Sequence, residues 1–363
     1  MATAPDTTAL PDSGTYDKGK VSTEDLESAH SRDGVLFDVK GLEVYFPIHQ
    51  GFFKSMVSSE KQFVKAVDQI SFQVMKGEIL ALVGESGCGK TTTGRTMLRL
   101  EDPTGGHILY KGLPVEKFGQ KTLRAYRKKA QIIFQDPYNS INPKQTIFDI
   151  VAEPLEVNNM CSSEREKEER VIKAISEAGL RPAVEYLYRY PHELSGGQRQ
   201  RVCIAGAIVL EPDMIVADEP VASLDVSIRN DILKLMVAHK DELGVTYLFI
   251  THDLSLAWVI SDRVAVMYLG KIVEIGETEE VVSNPQHPYT KALISVIPVP
   301  DPTAKREHTI LTGETPNPAA IPPGCRFHPR CPVRMDICSE QSPEDVHIGG
   351  THYAACLRLN GAS

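Results

Sequence analysis

The segment from Gly84 to Thr91 has the residue types and spacing of a phosphate-binding loop. It reads Gly-Glu-Ser-Gly-Cys-Gly-Lys-Thr and fits the pattern of glycine, four residues, then Gly-Lys-Ser/Thr. In such a loop the backbone N–H groups point inward at an anion, and the positive end of the following helix favours the same charge. The other interpretation is a glycine-rich turn with an exposed lysine. We expect the following residues to contact nucleotide: Gly84, Glu85, Ser86, Gly87, Cys88, Gly89, Lys90, Thr91 and Thr92.

Within this loop, Lys90 and Thr91 carry the most specific chemistry. A lysine at this position contacts the β- and γ-phosphates, and the threonine hydroxyl binds Mg²⁺. Hydrolysis of a bound nucleotide also needs carboxylates. Residues 214–217 form an apolar run, and Asp218 and Glu219 follow it directly. We expect Asp218 to bind Mg²⁺ through water and Glu219 to polarise the attacking water. An acidic pair after an apolar run carries little weight alone, but beside a phosphate loop it predicts nucleotide hydrolysis.

The elements needed to position these residues are visible in the sequence. Residues 79–83 are a short, continuous apolar run, which is typical of a buried parallel strand. Residues 91–100 place apolar side chains among polar ones and predict a helix directly after the loop. The order strand, loop, helix is the arrangement that a phosphate loop requires.

A third motif, Leu-Ser-Gly-Gly-Gln at residues 194–198, follows about a hundred residues after the loop. With it, the chain resembles the ATP-binding subunits of ABC transporters from about Leu36 to the C-terminus. The resemblance implies an α/β fold: a P-loop NTPase core of the ABC ATPase type, an antiparallel β subdomain, a helical subdomain and a small Cys-containing C-terminal extension. It also implies that this motif opens a helix whose N-terminus faces the γ-phosphate bound to the other subunit.

The chemistry of that motif suits an anion. Ser195 can donate its hydroxyl, Gly196 and Gly197 allow close backbone approach, and the helix dipole favours negative charge. Ser195 is also a good helix N-cap residue, and both interpretations can hold together. We therefore count Ser195, Gly196, Gly197 and Gln198 among the nucleotide-binding residues.

The resemblance assigns roles to further positions. Gln135 matches the family's glutamine near Mg²⁺ and the attacking water, and Asp225 lies in the segment that crosses the dimer interface. His252 matches the histidine that contacts the γ-phosphate. Phe46 is the predicted aromatic that stacks on adenine, with Tyr45 as the alternative, because strand alternation sends only one of the two toward the base.

These roles describe an ATPase that works as a pair. One subunit supplies the phosphate loop and carboxylates while the other supplies the Ser-Gly-Gly motif, so the resemblance implies a head-to-tail dimer. The expected partner is a related but different ATPase chain, with a homodimer as the alternative. The expected cofactors are ATP and Mg²⁺.

Composition bounds the class of protein. The 363 residues exceed a typical single domain, and the hydrophobic share of 42% is ordinary. A net charge of −9 argues against general nucleic-acid binding. No apolar run approaches the ~20 residues that span a bilayer.

We expect a disordered tail over residues 1–34, an ABC ATPase domain over 35–283 with its helical subdomain at about 113–192, and an extension over 284–363. Residues 49–62 should form an inserted hairpin or loop.

The extension narrows the function. Residues 284–290 read Asn-Pro-Gln-His-Pro-Tyr-Thr and look like the segment found in the oligopeptide, dipeptide and nickel importer branch. Further along, four of the seven cysteines lie in one span of 32 residues, and this clustering favours a metal or cluster site. They are Cys325, Cys331, Cys338 and Cys356. Four thiolates suit a [4Fe–4S] cluster, which the resemblance favours, or Zn²⁺; free or disulfide-linked thiols are the remaining interpretation.

The functional prediction is the energising subunit of an importer, for short peptides first, with nickel chelates, glutathione or oligosaccharides as other cargoes. Two membrane permease subunits and an extracytoplasmic solute-binding protein are the implied partners, which places the chain at the cytoplasmic face of the membrane. The alternatives are a soluble ABC ATPase acting on ribosomes or DNA, and an exporter subunit. The sequence argues against a soluble ABC ATPase of this kind, because it has one phosphate loop and no sustained heptads.

Overall fold

The computed structural model describes residues 21–48, 63–297, 309 and 311–360. The predicted insertion at 49–62 lies outside the described residues. The strands are β1 (Val35–Pro47), β2 (Phe63–Met75), β3 (Ile79–Val83), β4 (Gly105–Tyr110), β5 (Leu113–Pro114), β6 (Ala130–Ile133), β7 (Met214–Asp218), β8 (Thr246–Thr251), β9 (Arg263–Tyr268), β10 (Lys271–Glu277), β11 (Val346–Gly349) and β12 (His352–Ala354). The helices are α1 (Thr23–Ser28), α2 (Lys90–Met97), α3 (Gln120–Lys129), α4 (Pro137–Ser140), α5 (Ile147–Val157), α6 (Glu164–Glu177), α7 (Gly196–Ile208), α8 (Val226–Leu243), α9 (Leu254–Ile260), α10 (Thr278–Ser283) and α11 (Pro288–Ser295).

A large mixed sheet forms the centre of the fold. Its order in the described residues is β11-β12-β10-β9-β3-β8-β7-β6. Strands β9, β3, β8, β7 and β6 run parallel, and the predicted buried strand at 79–83 is confirmed as β3. Parallel pairing brings the carboxyl ends of β3, β6, β7 and β8 to one edge, which is where ligands bind in open α/β sheets. The phosphate loop, Gln135, Asp218 and His252 all lie at or just beyond these strand ends.

Side-chain alternation along the central strands divides the interior into two cores. In β3, Leu80 and Leu82 face a core shared with the antiparallel sheet, whereas Ile79, Ala81 and Val83 face a core filled by helices. A strand buried on both faces has no polar side to present to water, which explains the continuous apolar run in the sequence. The predicted α/β fold is confirmed.

The antiparallel subdomain is a four-stranded sheet in the order β2-β1-β4-β5. Its buried face is rich in aromatic side chains, with the ring centroids of Phe37 and Tyr110 5.1 Å apart. Tyr126 of α3 lies 5.2 Å from Tyr110 at an angle of 66°. The edge-to-face arrangement joins α3 to this sheet.

The helical subdomain begins later than the sequence analysis predicted. Strands β5 and β6 lie inside the range 113–192, and β6 pairs with β7 in the central sheet. The predicted start near residue 113 is therefore too early, because a charged helix such as α3 looks the same in sequence whichever layer it covers. Helices α4, α5 and α6 follow β6, and α6 begins after its N-cap Ser163.

The N-terminal prediction is wrong for residues 21–34. Ser22 caps α1 through a reciprocal capping box with Asp25, and Leu26 of that helix is buried. Thr122 of α3 donates a hydrogen bond of 2.7 Å to the carbonyl of Val21. The buried side chains of Val21 and Leu26, the cap and the Thr122 hydrogen bond hold this stretch against α3. Residues 1–20 lie outside the described residues.

The C-terminal extension completes the central sheet. β12 pairs with β10 through Glu274–Ala354 and Ile275–Tyr353, so this segment adds two strands to the edge of the ATPase sheet. The buried Glu274 carboxylate accepts hydrogen bonds from the backbone N–H groups of Gln286 and His287, and its Oε1 lies 2.8 Å from Nε2 of His352. These contacts supply the partners that a buried carboxylate requires.

Among the helices of the described residues, none combines the length and the apolar character needed to cross a bilayer.

Candidate active site

The phosphate loop connects β3 to α2 as predicted. Lys90 is buried, and its Nζ donates hydrogen bonds of 2.7 Å to the carbonyl of Gly84 and 3.0 Å to that of Glu85. Its ammonium is thus held at the loop by the loop's own backbone. Ser86 and Gly87 are exposed at the tip, and Thr92 lies in the first turn of α2.

Two of the glycines are required by close packing as well as by the loop's conformation. A Cβ at Gly84 would lie 2.1 Å from the carbonyl oxygen of Met267, and one at Gly89 would lie 2.1 Å from that of Ala66. Gly89 also has a φ of 111°, which L-residues rarely adopt. The loop is therefore pressed against β9 and β2, and any larger residue would displace it.

Thr91 and Asp218 meet at the sheet edge. The Thr91 hydroxyl donates a hydrogen bond of 2.9 Å to Oδ1 of Asp218, which is the last residue of β7 and is buried. Burial raises the pKa of Asp218, although the Thr91 hydroxyl opposes the rise. Two oxygen donors at this distance, one of them a buried carboxylate in need of a counter-charge, fit Mg²⁺.

Glu219 is the meeting point of three separate segments. Its Oε2 accepts a hydrogen bond of 3.0 Å from Nε2 of Gln135, and its Oε1 lies 3.1 Å from Nδ1 of His252. Because a carboxylate can only accept, Nδ1 of His252 carries the proton of that bond. Gln135 follows β6 and His252 follows β8, so parallel strand order brings residues far apart in sequence to one carboxylate.

The backbone of Glu219 is held in an unusual conformation. Its φ is 47°, and its N–H donates a hydrogen bond of 2.9 Å to the carbonyl of Ile250 in β8. A left-handed conformation costs a non-glycine residue about 1–2 kcal/mol. In this conformation the Glu219 side chain reaches Gln135 and His252, and such strain is typical of functional sites.

The Ser-Gly-Gly-Gln motif opens α7, on the helical subdomain. Ser195 is the N-cap and forms a capping box with Gln198, so the capping interpretation describes this structure. Ser195 is exposed, and a Cβ at Gly197 would lie 2.5 Å from Ile228 of α8, while Gly196 has more room. Within the described residues, no hydrogen bond links Ser195 to the phosphate loop of the same chain. Asp225, the residue preceding α8, is also exposed.

The two candidate adenine-stacking residues face different surroundings. The Tyr45 hydroxyl donates a hydrogen bond to Asp68, and Lys65 Nζ lies 5.1 Å from the centre of the Tyr45 ring. Phe46, next along β1, has 38% of its surface exposed. Tyr45 is thus engaged within the protein, whereas Phe46 offers a free ring.

The four clustered cysteines lie in the extension as free thiols. The N–H of Cys325 donates a hydrogen bond of 2.9 Å to the carbonyl of Cys338. Burial first, and the three neighbouring thiols to a smaller extent, raise the pKa of Cys325 to about 11. Burial likewise raises the pKa values of Cys331 and Cys356.

These thiols are thus close enough to influence one another, and the donor set has the chemistry of a metal site. Nevertheless, the described residues contain no group of three or more His, Cys, Asp or Glu side chains arranged to hold a metal ion. In this structure the four thiols are not gathered around a common point, so the prediction of [4Fe–4S] rests on the sequence and has no structural support.

The sequence analysis missed three side chains that reach the phosphate loop. Tyr289, Thr315 and Arg330 of the extension all contact Glu85, by its N–H or by its carboxylate. They follow the loop by more than 200 residues, and no sequence spacing relates them to it. The one available signal was Glu85 itself, an acid in a loop that binds anions, which implies a nearby cation.

The parallel sheet, its phosphate loop and the carboxylates at the neighbouring strand end define the class of phosphate-loop nucleotide-binding proteins. Residues 67–222 match the family described as ABC transporter, and residues 273–338 match the family described as oligopeptide/dipeptide transporter, C-terminal region.

Similar proteins agree with this class. The oligopeptide transport ATP-binding protein AppF of Bacillus subtilis is 48% identical over 324 residues, which cover 88% of this chain and 96% of AppF. The dipeptide transport ATP-binding protein DppF of Haemophilus influenzae is 47% identical over 326 residues, covering 90% and 97%. The solved structure of cbiO1 from Clostridium perfringens, part of the ABC transporter complex cbiONQ, is 28% identical, with a TM-score of 0.59 over 69% of this chain and 92% of cbiO1. The chain therefore belongs to the ATP-binding proteins of the ABC transporter family.

Proposed function

We propose that this chain is the ATP-hydrolysing subunit of an importer for dipeptides and oligopeptides. The observation that carries the proposal is the convergence of Gln135 and His252 on Glu219, at the sheet edge that also holds Lys90 and Asp218. The match of residues 273–338 and the names of AppF and DppF support peptides over nickel chelates, glutathione or oligosaccharides. The same relatives support transport over action on ribosomes or DNA. The 284–290 segment favours import over export.

In this proposal each group at the sheet edge has a separate task. Lys90 and the loop's N–H groups bind the β- and γ-phosphates, and Thr91, Asp218 and Gln135 hold Mg²⁺. When bound, Mg²⁺ supplies neutralising charge at the phosphate oxygens. Glu219 orients the attacking water as general base, and its proton-accepting oxygen is set in place by the hydrogen bonds that it already makes.

The nucleotide site needs a second chain. Ser195 and Asp225 are exposed, and within the described residues neither forms a hydrogen bond with the phosphate loop of its own chain, as expected if they act on nucleotide bound to a partner. The Ser195 hydroxyl and the positive N-terminal end of α7 would then meet the γ-phosphate from outside, together with Gly196, Gly197 and Gln198. We propose a paralogous ATPase as that partner, with a homodimer as the second possibility. The exposed ring of Phe46 is the proposed platform for adenine, in preference to Tyr45.

Closure of the dimer would be passed to the permease through the segment after Gln135. Large apolar side chains are exposed in this region and on the nearby helical subdomain, which is typical of an interaction surface. They are Phe134, Tyr138, Val184 and Tyr188. We propose that two permease subunits dock there, with a solute-binding protein on the far side, and that the chain sits at the cytoplasmic face of the membrane.

Co-purification tests the transport proposal. Isolated from detergent-solubilised membranes of its own cell, the chain is expected to bring integral-membrane permeases and a second ATPase chain with it. The complex should show ATPase activity that a peptide-loaded binding protein raises several-fold. A preparation that instead carries ribosomes or duplex DNA, in place of membrane chains, would overturn the proposal.

For the cysteines, we keep the [4Fe–4S] cluster as a proposal, with Zn²⁺ as its alternative, on the strength of four thiols in one small module. Protein purified anaerobically should contain about four iron and four sulfide per chain and absorb visible light. The variant Cys331→Ser should lose the iron, and Cys161→Ser, outside the module, should keep it. Folded wild-type protein without iron contradicts the cluster, and stoichiometric zinc would assign the site to Zn²⁺.

A further inference from the structure

Glu85 is an unusual side chain to find inside a loop that binds phosphate. Its carboxylate belongs to the same eight residues that must accept a nucleotide with up to four negative charges. An unpaired carboxylate there would repel the ligand, because like charges a few ångströms apart interact strongly near a protein surface. The structure should therefore contain something that neutralises it.

Arg330 supplies that charge from the C-terminal extension. Its Nη1 lies 2.8 Å from Oε2 of Glu85 and its Nη2 lies 3.1 Å from Oε1, which is a bidentate pair. Only 9% of the Arg330 side chain and 27% of the Glu85 side chain are exposed, so solvent screens the pair weakly. Burial acts to raise the pKa of Glu85, but the bonds from Arg330 and Thr315 outweigh it, and the pKa lies below its usual value.

Two further contacts hold the same residue. The Thr315 hydroxyl donates a hydrogen bond to Oε2 of Glu85, and the Glu85 N–H donates a hydrogen bond of 3.0 Å to the Tyr289 hydroxyl. The Glu85 carbonyl accepts from Nζ of Lys90. Every polar group of Glu85 thus has a hydrogen-bond partner. Its N–H and both carboxylate oxygens bond to the extension, and its carbonyl accepts from the phosphate-binding lysine.

A second arginine of the extension holds the segments behind the loop. Arg326 donates hydrogen bonds to the carbonyl of Leu269 and to the carboxylate of Asp68. Gly270, which follows Leu269 in the chain, donates a hydrogen bond of 2.8 Å from its N–H to the carbonyl of Cys88 in the loop. Arg326 directly follows Cys325, and Arg330 directly precedes Cys331, so the fold of the cysteine module places both arginines.

The aromatic packing shows that this contact is a built interface. Phe327, between the two arginines, has its ring centroid 5.2 Å from that of Tyr268 in β9 and 5.4 Å from that of Tyr289 in α11. All three rings are fully buried. Because buried rings pack closely, this contact holds Phe327 in place, and with it the short segment that carries both arginines.

We propose that the C-terminal extension is a clamp on the phosphate loop, and that Arg330 is a positioning residue that neutralises Glu85 and draws it away from the nucleotide phosphates. The inference deepens the proposed function and rests on it. It assigns the extension a direct part in nucleotide affinity, in addition to any chemistry of its cysteines.

The test compares nucleotide binding in a double-mutant cycle. Isothermal titration with ADP and with the non-hydrolysable AMP-PNP, both with Mg²⁺, is made on the full chain, on Arg330→Met, on Glu85→Gln and on the double variant. We expect Arg330→Met to weaken AMP-PNP binding on the order of tenfold and ADP binding less, because AMP-PNP carries one more charge. Glu85→Gln should bind at least as tightly as the wild type, and adding Arg330→Met to it should change affinity by less than about twofold.

Steady-state kinetics and controls separate positioning from folding. The KM for ATP should rise in Arg330→Met while kcat at saturating ATP stays nearly constant, and Arg330→Lys should recover part of the affinity. Arg334→Met, an exposed arginine of the same extension, should behave as the wild type.

Two outcomes overturn the clamp. One is unchanged AMP-PNP affinity in Arg330→Met when the wild type binds; the other is an equal loss with and without the Glu85 carboxylate, which would mark Arg330 as structural only. If the wild type itself binds no nucleotide, the proposed function fails, and the two failures are thereby distinguished.

Discussion

Glu219→Gln is expected to lower ATP turnover by about 10²–10⁴-fold, the usual contribution of a general base. An amide has the shape of the carboxylate but cannot accept the proton of the attacking water. Its single carbonyl oxygen can still accept from either Gln135 or His252, so the side chain should stay near its place. Nucleotide affinity should therefore change little, and ATP should accumulate on the protein. Phosphate release and equilibrium binding of ATP measure the two effects separately.

The control for this variant is Glu279→Gln, which changes an exposed glutamate of α10 that follows Glu219 by 60 residues. It should keep wild-type turnover. The melting temperatures of both variants should match that of the wild type to within a few degrees. Undiminished hydrolysis in a folded Glu219→Gln protein would refute Glu219 as the general base.

Lys90→Ala is expected to weaken nucleotide affinity on the order of 100-fold, since each lost hydrogen bond to a charged group is worth roughly 1.5–3 kcal/mol. The ammonium is buried and already oriented by the carbonyls of Gly84 and Glu85, so little of its binding energy is spent on ordering a mobile side chain. Titration with ADP and AMP-PNP measures the loss.

The matched control for Lys90→Ala is Lys76→Ala, which removes an exposed lysine just before β3. It should bind nucleotide as the wild type does. Because Lys90 also satisfies two loop carbonyls, its removal can loosen the loop, so thermal unfolding is followed in parallel. Unchanged affinity in Lys90→Ala would contradict the phosphate-loop interpretation.

The extension changes how this family member should be understood. It adds β11 and β12 to the edge of the ATPase sheet and reaches the phosphate loop through Tyr289, Thr315 and Arg330. A segment that shares both the sheet and the active-site loop is part of the catalytic unit. Truncation before residue 284 would therefore leave Glu85 unpaired and expose the buried face of β10.

Sequence predicted the motifs far better than the boundaries. The phosphate loop and its buried strand depend on a local pattern of glycines and apolar residues, which is why β3 matched residue for residue. The start of the helical subdomain and the order of residues 21–34 depend on which layer a helix covers. Neither α3 nor α1 carries that information in its own sequence.

The amino-acid sequence by itself determined the identity and spacing of the reacting groups, because a phosphate loop, an acidic strand end and a Ser-Gly-Gly helix cap are each defined within about ten residues. Only the tertiary structure decided which distant groups meet. Parallel pairing of β6, β7 and β8 brought Gln135 and His252 to Glu219. Packing of the extension against β9 and α11 brought Arg330 to Glu85. Such contacts follow from strand order and packing between residues 33 to 245 positions apart, which no local pattern specifies.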